Sequence, residues 1–180
     1  MEKITVENIK IERLNEKHKI DNFHSYEQEL VNFLVEDALD NQQRKISVTY
    51  LLYLTTGELA GYISLMNDRI NLEGDLKEIF HLKGIDYNSL PALKVGRLCV
   101  DDRFLRRGLG TFMLAFAVKI ANYIFNNYSG CRFIVLDAKR NNQKDSIHFY
   151  KKVGFRTLKE RKKGTTPMYL DLINDFKFHL

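Results

Sequence analysis

The stretch VDDRFLRRGLGTFML, Val100 to Leu114, joins two segments of different hydrophobic period. Before it, Lys94 to Val100 (KVGRLCV) reads as a strand. After it, Gly110 to Ile124 reads as a helix, with Leu109, Phe112, Met113, Phe116, Ile120 and Ile124 expected on one apolar stripe. The joint carries charge and two glycines one residue apart. Gly108 and Gly110 permit positive φ and close approach of a ligand to the backbone. The first N–H groups of a helix have no intrahelical partner, and the helix dipole favours an anion there. Arg106 and Arg107 add guanidinium groups whose geometry suits phosphate. Together these features point to a phosphate or pyrophosphate, although a plain strand-to-helix turn with solvated arginines would use the same residues. A dinucleotide Gly-x-Gly-x-x-Gly would need glycine at Met113, and no Gly-Lys-[Ser/Thr] follows, so both of those phosphate motifs are disfavoured.

The 180 residues, 44% apolar, suit a single domain, 1–180, with one core. No apolar run is expected to reach the roughly 20 residues that span a bilayer. The N-terminus (MEKITVE) lacks the basic start and apolar centre of a signal peptide, so a cytoplasmic protein is expected. Cys99 and Cys131 fall in predicted strands without Cys-x-x-Cys spacing, which disfavours a disulfide framework or zinc site. The net charge of +5 conceals an asymmetry: residues 1–93 carry a net −6 and residues 94–163 a net +12. A basic half of this strength suits an anionic partner, either cofactor phosphates or nucleic acid, and equally a lopsided soluble surface.

Around the central turn, Ile4–Leu14 alternates as a strand, and Ser25 to Gln28 fits a capping box ahead of a helix running to about Gln43. Ile46–Leu54 and Leu59–Met66 read as a hairpin through Gly57. Asn67–Leu90 has no sustained period; a substrate-side flap and a packed insertion with a short helix are both expectations for it. The second half repeats strand and helix: Leu93–Val100, Leu109–Asn126, Cys131–Ala138, Asp145–Val153 closed by Gly154, then Phe155–Glu160 and Met168–Leu172. The pattern is mixed α/β, antiparallel strands first, then a strand–helix–strand unit that should be parallel and right-handed.

At this point the residues resemble a family. Arg97 to Thr111 (RLCVDDRFLRRGLGT) is similar to the acyl-CoA-binding motif of the GNAT superfamily of N-acetyltransferases, Gln/Arg-x-x-Gly-x-Gly/Ala. About 35 residues on, Asn142 to Phe155 (NQKDSIHFYKKVGF) resembles the family's second signature. Glu29 to Ala38 and Gly61 to Leu65 resemble the branch containing toxins that acetylate aminoacyl-tRNA. Leu105 departs from the pattern, standing where Gln or Arg is usual. The resemblance implies a central twisted mixed sheet of six to seven strands with about four helices. It implies acetyl-CoA as co-substrate, with Leu98, Cys99 and Val100 along the pantetheine arm and Arg106, Arg107, Gly108, Leu109, Gly110 and Thr111 around the pyrophosphate. Asn142 would contact the cofactor arm, and Tyr150 would be the general acid that protonates the departing sulfur.

Other readings of these residues stay open. Phe149, Tyr150 and Val153 alone would also make a packed helix face. Cys99 reads as a buried strand cysteine or an acyl-carrying thiol. Glu58, Glu73, Glu78 and Asp101 are bases by type only, and His18, His24, His81, His148 and His179 lack paired metal spacing. Three functions follow: an N-acetyltransferase of an unspecified primary amine; a toxin that acetylates the amino group of aminoacyl-tRNA, with an antitoxin partner; and a non-catalytic nucleic-acid-binding module on the same fold. For RNA, Arg156 to Lys163 with Lys139, Arg140, Lys144, Lys151 and Lys152 would meet phosphates. A homodimer is left open, since no apolar stripe demands a partner.

Overall fold

A computed structural model describes residues 4–139, 146–161 and 164–174. Seven strands form one mixed sheet in the order β1-β2-β3-β4-β5-β7-β6. They are β1 (Ile9–Arg13), β2 (Val48–Leu54), β3 (Leu59–Asn71), β4 (Ser89–Val100), β5 (Phe133–Lys139), β6 (Arg156–Thr157) and β7 (Thr165–Asp171). Four helices accompany them: α1 over residues 28–43, α2 (Gly74–His81), α3 (Leu109–Asn127) and α4 (Ser146–Lys152). By their contacts the residues gather into two compact units, Met1–Met66 with Val95–Ala117, and Asn67–Lys94 with Val118–Leu180.

In the first unit β1, β2 and β3 are antiparallel neighbours. The β2–β3 hairpin turns where expected, Gly57 taking φ +94° and donating its N–H to the Leu54 carbonyl at 2.9 Å. One face carries Leu51, Tyr62 and Cys99, which are buried with Leu34 and Ala38 of α1 and with Phe23. The other face carries Tyr50, edge-on to Phe116 of α3 at 4.9 Å. Gly61 lies on that second face because nothing larger fits: a Cβ there would stand 2.9 Å from the Cys99 carbonyl oxygen and 3.1 Å from Met113 Cε. Gly61→Ala is therefore expected to destabilise by about 1–3 kcal/mol, the usual cost of overpacking. Thermal melting checks this; an unchanged Tm would mean that the strand has room.

The first strand starts only at Ile9, after a 3-10 turn at Val6–Asn8. Ser25 and Gln28 do not form a capping box. Ser25 Oγ accepts from the Glu27 N–H at 3.2 Å, and Gln28 Nε2 instead donates to Asn32 Oδ1 at 2.8 Å. Within α1, Phe33–Asp37 widens into a π-helix. Buried Tyr62 donates its hydroxyl to the Leu30 carbonyl at 2.7 Å, so a side chain competes for a helix acceptor just before the widened turn.

The apolar stripe assigned to α3 is also shifted. The buried residues are Leu109, Met113, Leu114, Ala115, Ala117, Val118 and Ala121, while Phe112, Phe116, Ile120 and Ile124 are half-buried. The helix is apolar nearly all round, so period alone could not choose the face; the small alanines mark the close approach. It has 19 residues and an 18-residue window of mean hydropathy 1.3, long and apolar enough by composition to cross a membrane, contrary to the expectation of no such run. The buried face identifies a core helix.

In the second unit, Asn67–Leu90 holds the end of β3, helix α2 and the start of β4. Of the two expectations for it, the packed insertion fits. Leu76 and Phe80 of α2 are buried with Ile70, Leu72, Ala92, Phe133, Val135 and Tyr169. β7 pairs antiparallel with both β5 and β6. Asp171, 5% exposed, closes the end of this unit: Arg132 Nη2 lies 2.9 Å from its carboxylate, and the N–H of Ile173 at 3.0 Å and Nδ2 of Asn174 at 2.7 Å also donate.

Candidate active site

The strand that leads into the glycine turn does not keep a plain alternation. Gly96 faces Met66: a Cβ built on it would stand 2.6 Å from Met66 Cε, on the side of β3 that also bears Tyr62. Arg97 faces the same side, its guanidinium 5.2 Å from the Phe33 ring of α1 and 4.0 Å from Glu29. Cys99 follows it into the Tyr62 cluster. Gly96 and Arg97 thus turn the same way, the one-residue slip that a β-bulge introduces, and the last residues of β4 are re-aimed.

After Val100 the chain makes a 3-10 turn, Asp102–Phe104, and reaches the cradle. Arg106 takes φ +61° and Gly108 φ +88°, with Arg107 between them outside the left-handed region. That alternation curls successive N–H groups inward, the backbone geometry of an anion nest. The first intrahelical bond of α3 is Phe112 N–H to the Gly108 carbonyl at 3.0 Å, which leaves the N–H groups before it directed out of the helix mouth. Beyond Gly108 a Cβ would meet no protein atom within 4 Å. Arg106 is exposed; Arg107 is half-buried, with its guanidinium 5.7 Å from the Phe104 ring and a buried Nε that has no hydrogen-bond partner among the described residues. An orphaned buried donor beside an open nest fits a polyanion. Leu98, Val100, Gly110 and Thr111 are half-buried, and Leu109 is the core anchor of the mouth.

Cys99 is 5% exposed, and burial pushes its thiol up to about 11, with Ser25 opposing as a hydrogen-bond partner. A thiol so reluctant to ionise is a packed strand residue; the acyl-carrying reading has no support in its surroundings.

Asp101 directly follows Val100, the last residue of β4. Its side chain is wholly buried and spoken for, so it is no general base. It accepts from the backbone N–H of His24 and Arg103 at 3.0 Å, and from Arg103 Nε and Nη2 at 2.8 Å. Burial alone would raise its pKa; Arg103 and the two backbone N–H groups overcome that and hold the carboxyl below the ordinary range. Asp171 behaves alike, with Arg132, Ile173 and Asn174 overcoming burial. The folded pKa of each lies below that of the unfolded chain, so the unfolded chain binds more protons as acid is added. The stabilisation is whole above the ordinary Asp value of about 3.9 and is lost as pH falls through the folded values. Urea midpoints should hold steady from pH 7 to 5 and then drop, with a smaller drop in Asp101→Asn. An identical drop in that variant would assign the acid sensitivity elsewhere.

The remaining carboxylates typed as bases are peripheral within their own elements. Glu58 meets Thr56 in the hairpin turn, and Glu73 and Glu78 belong to α2 and its N-cap. His18 pairs with Glu12 at 3.1 Å and His81 with Asp86.

Tyr150 belongs to the second unit, on α4, which packs on β5. Its half-buried ring lies 5.1 Å from Phe149 and 5.7 Å, edge-on, from Phe155. The helix ends as the sequence anticipates. Gly154, at φ +103°, donates to the Lys151 carbonyl at 3.0 Å, and Phe155 donates to the Tyr150 carbonyl at 3.0 Å. These two bonds are a Schellman cap, with Phe155 folded back beside Tyr150. The family's Tyr-x-x-x-Gly-Phe spacing is thus a device that fixes this tyrosine. Asn142 lies outside the described residues, as do Arg140, Lys144, Lys162 and Lys163 of the basic set. Lys139, Lys151, Lys152, Arg156, Lys159 and Arg161 are exposed.

The sequence profile of the acetyltransferase (GNAT) family matches residues 11–155, from β1 through the cradle to the Schellman cap. The chain belongs to the GNAT family of acetyltransferases. Comparison with curated proteins gave no match. Among solved structures this GNAT protein is similar to the toxin AtaT complexed with acetyl-methionyl-tRNAfMet, at 21% identity and a TM-score of 0.76 over 91% of this chain and 95% of that one. It is similar to a tyrosine-to-phenylalanine mutant of KacT, at 21% identity and TM-score 0.73, over 89% and 94% of the two chains. It is also similar to AtaTR bound with AcCoA, at 20% identity and TM-score 0.68, over 93% and 95%. At such identities the likeness establishes the fold: the mixed sheet with four helices that the two motifs imply.

Proposed function

We propose that this GNAT protein transfers the acetyl group of acetyl-CoA directly to a primary amine, and that the amine is the α-amino group of an aminoacyl-tRNA. The observation that carries the first half is the left-handed pair at Arg106 and Gly108, opening a nest at the mouth of α3. Gly108 to Thr111 offer main-chain N–H groups to the pyrophosphate, and Arg107 offers its orphaned Nε–H. Leu98, Cys99 and Val100 lend strand-edge backbone groups to the pantetheine arm, and Asn142 a side-chain contact. With Leu105 in place of Gln or Arg, Arg106 and Arg107 supply the cationic contact. The bound thioester supplies the acyl group and a stable leaving thiolate. Tyr150 donates its phenolic proton to that sulfur, its ring held against Phe155. Solved forms of AtaT and KacT that carry a tyrosine-to-phenylalanine change support this assignment.

The second half rests on charge. Lys139, Lys151, Lys152, Arg156, Lys159 and Arg161 are exposed in the unit that carries Tyr150. The relative solved with acetyl-methionyl-tRNAfMet favours the same acceptor class, and the one solved with the antitoxin AtaR favours an antitoxin partner here. Incubation with acetyl-CoA and bulk charged tRNA, followed by mass spectrometry of the aminoacyl ends, should reveal N-acetylation that weakens steeply with salt. Acetylation of free amines but not of charged tRNA would leave a small-molecule acetyltransferase; CoA uptake without any transfer would leave a binding module.

A further inference from the structure

The turn Ile4–Asn8, just ahead of β1, is fastened at two places in the first unit. Asn8 closes it, its N–H donating to the Thr5 carbonyl at 3.0 Å and its Nδ2 to Thr5 Oγ1 at 3.1 Å. The Asn8 carbonyl accepts in turn from the Thr55 N–H at 3.0 Å, which ties the segment to the β2–β3 hairpin. At the other end the Ile4 N–H donates to the Arg107 carbonyl at 3.4 Å. Thr5, Glu7 and Asn8 are exposed and Ile4 is half-buried, so these residues add little to the core. What they hold is the backbone of the cradle.

That contact has a directional consequence. The Arg107 carbonyl and the Gly108 N–H belong to one trans peptide, in which the two groups point in opposite directions. Drawing the carbonyl toward Ile4 therefore turns the Gly108 N–H away from it, among the N–H groups that line the nest. Local chemistry does not hold it there. Turning that peptide over changes ψ of Arg107 and φ of Gly108, and glycine accepts φ of either sign. Arg106, at φ +61°, stands in a region that an ordinary side chain leaves unless it is held. Among the described residues, Ile4 gives the one backbone donor that reaches residues 105–108 from outside the turn and its helix.

We propose that Ile4–Asn8 is a brace for the diphosphate-binding nest: the Ile4 N–H, by holding the Arg107 carbonyl, keeps the Gly108 N–H aimed at the diphosphate of CoA. Ile4 is a positioning residue, acting through the Arg107–Gly108 peptide and not on the cofactor itself. This inference rests on the acetyl-CoA reading of the cradle. It adds to that reading a segment outside both motifs and outside residues 11–155, which the family profile matches.

Ile4→Pro removes the N–H, and Ile4→Ala keeps it. In calorimetric titrations of the full chain with CoA, Ile4→Pro should bind at least about fivefold more weakly than wild type, the lower end of ordinary coupling between two sites, while Ile4→Ala stays within about twofold. The coupling is reciprocal, so saturating wild type with CoA should slow hydrogen exchange of the Ile4 amide, read by NMR, by a factor of the same order. That second measurement needs no variant and stands even if the proline chain folds poorly. Equal CoA affinity in Ile4→Pro and wild type would overturn the brace, as would equal losses in the two variants or an Ile4 amide indifferent to CoA. Wild type that takes up no CoA would strike the acetyltransferase reading and the brace with it, whereas the other outcomes leave that reading standing.

Discussion

Tyr150→Phe should bind acetyl-CoA as wild type does and turn it over about 10²–10⁴ times more slowly, the range a positioned general acid contributes. The substitution removes one oxygen from a half-buried ring that packs beside Phe149 and Phe155. Both ring contacts survive the change, and so does the Schellman cap, which uses only the Tyr150 carbonyl. Stability should fall by no more than the roughly 0.5–1.5 kcal/mol of one side-chain hydrogen bond. Calorimetry with acetyl-CoA, a thermal melt and a thiol-release assay separate the three quantities. Unchanged turnover would remove the phenol from the mechanism and return Tyr150 to the packed face that the sequence also allows.

The second large effect is expected at Gly108. Its φ of +88° lies where a β-branched side chain is strained, so Gly108→Val should destabilise the fold by about 1–3 kcal/mol. A Cβ there meets no protein atom within 4 Å, so it would project into the space proposed for the pyrophosphate. CoA affinity should fall at least thirtyfold. Gly57 supplies the control, because it has φ +94°, an equally open Cβ position and a place in the β2–β3 hairpin. Gly57→Val should lose comparable stability and keep its CoA affinity. Equal CoA affinity in both variants would show that the nest does not grip the diphosphate, and the enzymatic reading would lose its main support.

The Asp101 clamp shows where reading the chain alone runs out. By type Asp101 is a candidate base; Arg103, two residues on, supplies its ion pair, but nothing local shows that the carboxylate is buried. Its distant partner, His24, lies 77 residues away and contributes a main-chain N–H, which carries no residue identity at all. The slip at Gly96–Arg97 is hidden for a similar reason. Both residues are polar or small, and the phase of the strand is visible only through what each meets across it, Met66 in one case and Phe33 in the other. The face of α3 is hidden because its large apolar residues Phe112, Phe116, Ile120 and Ile124 set the apparent stripe, whereas close packing selects the small side chains Ala117 and Ala121.

What the sequence determined by itself is what local chemistry dictates. The glycines and arginines of the cradle, the hairpin at Gly57 and the cap at Gly154 depend on φ, on unpaired N–H groups and on residues within one turn of each other. Two such motifs in order were enough to place the chain in its family. The tertiary structure alone decided that Asp101 and Asp171 are buried, how residues 22–27 lie against the end of β4, and which face of α3 is covered. Those are contacts between residues far apart in the chain. Their energies come from burial and hydrogen-bond geometry, which spacing along a sequence does not encode.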